Sequence, residues 1–235
     1  MTIDPAEALI LDFGSVVTLT MFETHAFTER NLGLPPGSLT WMGPFDPDND
    51  PLWTAMQRDE ITERDYWLTR AREVGQMLGQ DWTEMAQFII AARGKDTEDI
   101  IRPEMAPLAE VIKASGKKLA ILSNELDLFF GKTLRQSLRL LDQFDVISDA
   151  TYTQILKPDP RAYQACLDDL GLEAHQCVFI DDQMRNVLGG QKAGLRSLHL
   201  DVKSPLTAFN TALTELGIDA QFTAPGQLTR AKDLS

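Results

Sequence analysis

Five short and mostly apolar runs recur along the chain at intervals that suit the strands of a buried sheet. They lie at residues 8–11, 118–122, 144–147, 177–180 and 196–200. A continuous apolar run of this length is typical of a strand that is covered on both faces. Because helix-length segments separate most of these runs, the pattern predicts an α/β fold with a parallel sheet between two layers of helices.

Helical signals lie between the apolar runs and set several boundaries. The predicted helices at 108–115 and 162–170 are each followed by a glycine, which can adopt the left-handed conformation common just after a helix. The segment at 126–141 is also long enough for a helix. A capping residue followed by proline marks two helix starts, at Asp159-Pro160 and Ser204-Pro205.

Residues 20–101 follow a different pattern, with helical spacing and no convincing buried strand. Within them, Thr62 and Asp65 have the spacing of a capping box, which begins a helix. We therefore predict an all-helical domain of residues 20–101, inserted into a core domain of residues 1–19 and 102–235. All four tryptophans lie in this insert and are expected to pack its core, with Trp41 or Trp53 as candidates for contact with a substrate.

Composition and charge narrow the class of partner. Hydrophobic residues make up 43% of the chain, and 22 basic against 35 acidic residues give a net charge of −13. This charge opposes binding to nucleic acids and to anionic membranes. No apolar run approaches the ~18 residues of a membrane span, and the first residues lack a basic export signal. We expect a cytoplasmic monomer or homodimer that acts on a small molecule.

Polar residues follow the predicted strands at the points where the strands end. They are the segment Asp12-Phe13-Gly14-Ser15, the pair Ser123-Asn124, the segment Lys157-Pro158-Asp159-Pro160 and the pair Asp181-Asp182. In open parallel sheets, ligands bind beyond the carboxyl ends of the strands. These segments are therefore the candidate site. Because the net charge of −13 opposes anionic ligands, a local cation or metal would have to create an attractive site for one.

The four segments, in this order, resemble motifs I to IV of the haloacid dehalogenase-like (HAD) hydrolases. The resemblance extends over residues 10–194. It is strongest with the subgroup that carries a small helical cap after motif I, which includes phosphatases similar to the N-terminal domain of epoxide hydrolases and bacterial sugar-phosphate phosphatases. The resemblance implies a Rossmann-like core and a Mg²⁺-dependent phosphohydrolase that acts on a small phosphorylated metabolite.

The resemblance also implies a role for each motif residue. Asp12 would be the nucleophile that forms an aspartyl-phosphate, which splits one difficult displacement into two easier steps. Lys157 would offset the charge of the transferring phosphoryl group, and Ser123 and Asn124 would donate hydrogen bonds to it.

The same resemblance implies a metal site of oxygen ligands, which Mg²⁺ prefers. Asp12, Asp181 and the backbone carbonyl of Gly14 would hold the ion. Asp182 or Asn186 would act through water or on Lys157. Either member of the pair Asp181-Asp182 can be the acid that contacts the metal.

Gly14 departs from the family pattern, because most phosphatases and mutases of the superfamily have a second Asp at this position. That Asp protonates the leaving group and later activates water. Its absence slows the enzyme, restricts it to good leaving groups, or means that another group substitutes, with His25 as the first candidate. Without an acid, the rate should depend steeply on leaving-group acidity. A positive φ is a competing property of Gly14, which would strain an Asp placed there.

Three other functions compete with hydrolysis of a phosphate ester. A 2-haloacid-type dehalogenase would also use Asp12 as nucleophile and also lacks the second Asp, but it needs no metal and its motif IV resembles Ser-Ser-Asn. The pair Asp181-Asp182 therefore favours phosphate. A phosphomutase needs an acid at the position of Gly14, and a catalytically silent binding module has no physical need for Asp12, Lys157 and the acidic pair together.

Overall fold

The computed structural model describes residues 4–58, 60–93, 98–124, 126–127 and 138–230. Five parallel strands form one sheet in the order β3-β2-β1-β4-β5. The strands are β1 (Ala8–Leu11), β2 (Lys118–Ser123), β3 (Val146–Asp149), β4 (Cys177–Asp181) and β5 (Arg196–His199). An antiparallel hairpin follows, of β6 (Ala220–Ala224) and β7 (Gln227–Arg230). The predicted parallel sheet is confirmed, with β1 at its centre.

Helices connect the strands and form the insert. They are α1 (His25–Leu32), α2 (Pro51–Gln57), α3 (Glu63–Met77), α4 (Met85–Arg93), α5 (Met105–Ala114), α6 (Ala150–Thr153), α7 (Pro160–Leu170), α8 (Met184–Lys192) and α9 (Pro205–Glu215). Short 3₁₀ helices lie at Gly43–Phe45, Pro47–Asn49, Glu98–Ile100, Arg139–Gln143 and Ala174–Gln176, and a π-helical turn at Phe13–Val17. In the part of the chain that the structure describes, no helix has the length and apolar character to cross a membrane.

Two predicted helix starts have different outcomes. At α7, the Asp159 side chain accepts a hydrogen bond from the Arg161 backbone N–H at 2.9 Å, as a cap should. At α9, the helix does begin at Pro205, but the Ser204 side chain makes no capping hydrogen bond, and its backbone carbonyl accepts from Thr207 instead. The proline alone therefore marks that start. Most of the predicted helix at 126–141 lies outside the described residues, and its last residues belong to the 3₁₀ helix Arg139–Gln143.

The third strand begins two residues later than the apolar pattern predicts. Asp145 lies before it, where its carboxylate accepts a hydrogen bond from the Leu119 backbone N–H at 2.8 Å and pairs with Lys113 at 2.5 Å. Phe144 is the residue that ends the preceding 3₁₀ helix. Both residues are thus engaged in the turn that enters the sheet, and pairing with β2 starts at Val146.

The two faces of the sheet bury two separate apolar clusters, as alternation along each strand requires. On β1, Leu9 and Leu11 face one cluster, while Ala8 and Ile10 face the other. Helices α5 and α9 cover the first face and α7 covers the second. The central strand is therefore covered on both sides, which explains its continuous apolar sequence.

The insert has an apolar cluster of its own, built from Phe22, Trp41, Tyr66, Phe88 and their neighbours. Its described elements are α1 to α4 and short 3₁₀ helices. The two segments that connect the insert to the core lie side by side. Thr18 and Ile101 form an antiparallel β-bridge, and the Leu19 N–H donates to the Ile100 carbonyl at 2.7 Å. The all-helical insert is confirmed as part of the fold, and its boundaries at 19/20 and 101/102 stay predictions.

Candidate active site

The carboxyl ends of three neighbouring strands bring the predicted site residues together. Asp12 follows β1, Ser123 ends β2 and Asp181 ends β4. A cavity of about 280 Å³ opens at this edge. Its lining includes Asp12, Gly14, Ser123, Asn124, Lys157 and Asp182. Asp181 is fully buried behind it.

Lys157 is a buried cation that bridges two carboxylates at the base of the cavity. Its Nζ donates to Asp12 Oδ1 and to Asp181 Oδ2, both at 2.7 Å, and its side chain is only 1% exposed. Burial by itself would lower the pKa of Lys157, but the two carboxylates raise it above its usual value. The ammonium is therefore a fixed positive charge.

Asn124 holds the backbone of Lys157 in place. Its Oδ1 accepts from the Lys157 N–H at 2.7 Å, and its Nδ2 donates to the Lys157 carbonyl at 3.2 Å. Both polar atoms of the amide thus have a protein partner. Asn124 is a positioning residue in this structure, and its predicted contact with the phosphoryl group stays a prediction.

The positive charge in the site is too small to neutralise its acidic groups. Burial raises the pKa of Asp12 to about 7, with Asp181 adding to the rise and Lys157 opposing it. Burial also raises the pKa of Asp182 well above its usual range, and Asp181 and Asp12 raise it further. Because a single ammonium does not neutralise three carboxyl groups, a further cation bound here would lower the electrostatic repulsion between them.

The donor set fits a hard divalent cation. One carboxylate oxygen from each of Asp12, Asp181 and Asp182 lies within 4.8 Å of the others, which is a spacing that a metal ion can bridge. Carboxylate oxygens suit Mg²⁺. The buried Oδ1 of Asn186 has no hydrogen-bond partner in the described residues, and an acceptor of this kind suits a water molecule held by such an ion.

The carboxylates of Asp181 and Asp182 differ in how many hydrogen bonds they accept. Besides Lys157, Asp181 accepts from the Gln183 backbone N–H at 2.8 Å and from Asn186 Nδ2 at 3.1 and 3.2 Å. For Asp182, the side-chain hydrogen bond in the described residues is a long one from Gln183 Nε2 at 3.4 Å. Asp182 therefore keeps more acceptor capacity for a metal, while Asp181 orients Lys157.

Gly14 has an ordinary backbone conformation, with φ −66° and ψ 132°. A Cβ added at this position would meet nothing within 4 Å. The alternative of a positive φ is therefore wrong for Gly14, and the left-handed residue is Ser15, with φ 65°. Arg102, itself paired with Glu23 at 3.0 Å, donates to the Ser15 carbonyl at 2.9 Å and holds this turn.

His25 lies away from the cavity, in the core of the insert. Its ring meets Trp41 edge-on with centroids 4.4 Å apart. Burial lowers the pKa of His25 to about 4, so the ring is neutral near pH 7. His25 is not among the residues that line the cavity and is not placed to protonate a leaving group there.

The insert forms the wall that faces the strand ends. Apolar side chains contribute much of the lining, from Met21, Trp67, Met85, Ile89 and Ile100 of the insert and from Leu19 and Leu156 of the core. The predicted aromatic contacts, Trp41 and Trp53, are absent from this lining, and Trp67 takes their place. Trp41 is only 4% exposed and packs in the core of the insert.

Charged residues on this wall were missed by sequence reasoning. Glu63 and Arg64, at the start of α3, line the cavity, and Glu63 pairs with Arg185 of α8 at 2.7 Å. The capping box of Thr62 and Asp65 is confirmed and fixes where this helix begins. The one-dimensional pattern carries no signal that this helix start faces the strand ends.

Several curated proteins that resemble this chain are named phosphatases. A phosphatase of Mycobacterium tuberculosis is 35% identical over 99 residues, 42% of this chain and 46% of that protein. The chain thus spans less than half the length of that relative. A sesquiterpene phosphatase of Aspergillus oryzae is 27% identical over 154 residues, 65% of this chain and 74% of that protein.

A superposition on a solved structure and a match to a family model point to the same kind of protein as these relatives. The HAD-hydrolase YfnB of Bacillus subtilis, solved with magnesium bound, superposes with a TM-score of 0.61 at 18% identity, covering 84% of this chain and 87% of that one. That likeness shows a shared fold. The family model of the haloacid dehalogenase-like hydrolases matches residues 7–194. The order of the four motifs and this match over most of the sequence lead to one conclusion: the chain belongs to the haloacid dehalogenase-like hydrolases.

Proposed function

We propose that the protein is a Mg²⁺-dependent phosphohydrolase that transfers the phosphoryl group of a small phosphorylated metabolite to Asp12 and then to water. The observation that carries this proposal is the Lys157 ammonium, which touches Asp12 and Asp181 at 2.7 Å each at the base of a cavity edged by Asp182. Fixed positive charge beside a carboxylate nucleophile suits an anionic substrate.

Exposure distinguishes the nucleophile from its neighbours. The Asp12 side chain is 14% exposed and lines the cavity, whereas Asp181 is fully buried. An oxygen of Asp12 attacks phosphorus, the bond to the leaving oxygen breaks, and an aspartyl-phosphate forms. Water then attacks phosphorus, the bond to Asp12 breaks, and phosphate leaves.

The residues around Asp12 orient the reacting group. Lys157 would offset the charge of the transferring phosphoryl group, and the hydroxyl of Ser123, which lines the cavity at the end of β2, would donate a hydrogen bond to it. Mg²⁺, held by Asp12, the Gly14 carbonyl and one or both of Asp181 and Asp182, would neutralise the remaining negative charge when bound.

The substrate class follows from the wall that the insert contributes. Because apolar side chains such as Met85 and Ile89 face the cavity, a monophosphate with a partly apolar body fits better than one covered with hydroxyl groups. The relative from Aspergillus oryzae, named a sesquiterpene phosphatase, supports this preference. A cytoplasmic location and a monomeric or homodimeric state belong to the same proposal.

The test is a panel of phosphate esters with and without Mg²⁺, alongside 2-chloropropionate without metal. We expect hydrolysis of phosphate esters that EDTA abolishes, because three carboxyl groups need a cation before they accept a phosphate. Long-chain alkyl phosphates should be turned over faster than sugar phosphates with leaving groups of similar acidity. Activity that survives EDTA, together with chloride release, would establish the dehalogenase instead.

Magnesium should stabilise the fold, and more strongly above pH 7 than below it. The pKa of Asp12 is raised to about 7 from 3.8, so the fold favours the protonated carboxyl and loses this stabilisation as pH rises through about 7. Protons therefore compete with the metal on the acidic side. Thermal unfolding with and without Mg²⁺, on both sides of pH 7, measures the effect. Asp182→Asn should shrink the shift; an equal shift at both pH values would contradict this account.

A further inference from the structure

A leaving group in this site needs an acid on the side of the cavity away from Asp12. In an in-line displacement the attacking and leaving oxygens lie on opposite sides of phosphorus. Asp12 lies at the strand ends, so the leaving oxygen points toward the insert. A Cβ added at Gly14 would meet nothing within 4 Å, so among the described residues no side chain of the core fills this space.

Most of the ionisable groups in the lining already have another task. Asp12 is the proposed nucleophile, Asp182 belongs to the carboxylate group that could hold the metal, and Lys157 is held between two carboxylates. Arg64 and Arg185 also line the cavity, but a guanidinium does not give up its proton in a protein. Among the described residues of the lining, this leaves one carboxyl group, that of Glu63.

Glu63 is held in place by contacts from both the insert and the core. It is the first residue of α3, directly after the capping residue Thr62, so its backbone position is fixed. Its Oε2 accepts from Arg185 Nη2 at 2.7 Å, and the Trp67 side chain also bonds to it. The side chain stays 39% exposed, so a substrate oxygen or a water molecule can approach it.

The electrostatic setting suits a group that alternates between acid and base. Partial burial raises the pKa of Glu63 above its usual value, and the charge of Asp181 acts in the same direction. Arg185, Lys157 and the bond from Trp67 oppose the rise. The charged groups that act on it are Arg185 from α8, Lys157 from the loop before α7, and Asp181 and Asp182 from the end of β4.

We propose that Glu63, on the insert, is the catalytic acid and base that replaces the side chain missing at Gly14. This inference rests on the proposed phosphohydrolase function. In the first step Asp12 bonds to phosphorus, the bond to the leaving oxygen breaks, and the Glu63 carboxyl gives that oxygen its proton. In the second, the Glu63 carboxylate takes a proton from water while water bonds to phosphorus and the bond to Asp12 breaks. Both side chains return to their starting state.

This assignment changes the expected dependence on the leaving group. With Glu63 in place, the leaving oxygen departs as a neutral alcohol, so alkyl and aryl phosphates react at more similar rates. The steep dependence expected from Gly14 alone should then appear only after Glu63 is replaced. A side-chain acid contributes about 10²–10⁴-fold for poor leaving groups.

The experiment measures kcat/KM for para-nitrophenyl, phenyl and butyl phosphate with Mg²⁺. Glu63→Gln should keep most of its kcat/KM on the nitrophenyl ester, because this constant reports the first step and that leaving group needs no acid, and should lose about 10²–10⁴-fold in kcat/KM on butyl phosphate. It should also lose the fall in kcat/KM that wild type shows as the pH rises through the raised pKa of Glu63. Arg185→Gln is the matched control, because it breaks the same ion pair but keeps the carboxyl group. It should keep the wild-type dependence on the leaving group.

A second variant restores the acid from the core side. Gly14→Asp placed in the Glu63→Gln background should recover activity on butyl phosphate, since Gly14 has ordinary φ and open space for a side chain. The inference is overturned if Glu63→Gln and wild type show the same dependence of kcat/KM on leaving-group acidity. It is also overturned if this dependence is already steep in wild type, or if Arg185→Gln shows the same dependence as Glu63→Gln. Wild type that hydrolyses no phosphate ester overturns the proposed function, and this inference with it.

Discussion

Replacing Asp12 with asparagine is expected to abolish turnover and to leave the fold intact. The amide has the same shape, but it is a poor nucleophile and a poor ligand for Mg²⁺. Loss of an enzyme's nucleophile can cost on the order of 10⁶-fold in kcat. Because Lys157 keeps its second partner, Asp181, at 2.7 Å, the buried ammonium stays paired. The measurement is kcat on the best substrate of the panel, with circular dichroism to check folding.

Asp169→Asn provides the control for this change. Asp169 is an exposed residue of α7, away from the cavity, and the same substitution there should leave kcat unchanged. Mass spectrometry of Asp12→Asn excludes deamidation back to aspartate. Activity above a few per cent of wild type, in protein shown to be undeamidated, would remove Asp12 from the role of nucleophile.

Replacing Lys157 with methionine is expected to cost both activity and stability. The substitution keeps the length of the chain but leaves Asp12 and Asp181 facing each other without their shared cation. Removing one partner of a buried ion pair typically costs about 3–5 kcal/mol. The free energy of unfolding, from denaturant titration, should fall by an amount of this size in metal-free protein, and kcat/KM should fall with it.

Magnesium separates the two effects of Lys157→Met. The ion should restore part of the stability, because it also neutralises carboxylates, but not the rate, since the fixed donor to the phosphoryl group stays absent. Lys192→Met is the matched control, because Lys192 is exposed at the end of α8. A Lys157→Met protein as stable as the Lys192→Met protein without metal would show that the buried ammonium does not hold the site together.

The sheet and the place of the site could be predicted because each rests on a local pattern. Strand β1 is apolar over all four of its residues, since both faces are covered, and Asp12 follows it at the edge where ligands bind. Strand β3 was placed two residues early, because Asp145 and Phe144 serve the turn before it. Apolar character alone does not show which residues a turn will take.

Other features of the site depend on contacts between distant parts of the chain. Asn124 looked like a donor to substrate, yet its amide bonds to the backbone of Lys157, 33 residues away. Nothing in the sequence marked Glu63 as a site residue, and only the packing of the insert over the strand ends brings it to the cavity. A single sequence carries no record of such contacts.

Covalent trapping tests the central claim, phosphoryl transfer to Asp12, most directly. Wild-type protein with Mg²⁺ is mixed with a radiolabelled phosphate ester, quenched in acid within one turnover, and digested for peptide mapping. We predict label on the peptide that contains Asp12, released by hydroxylamine as an acyl phosphate is, and absent from Asp12→Asn protein. Turnover of the ester without label on Asp12, or with label on another residue, would contradict the account.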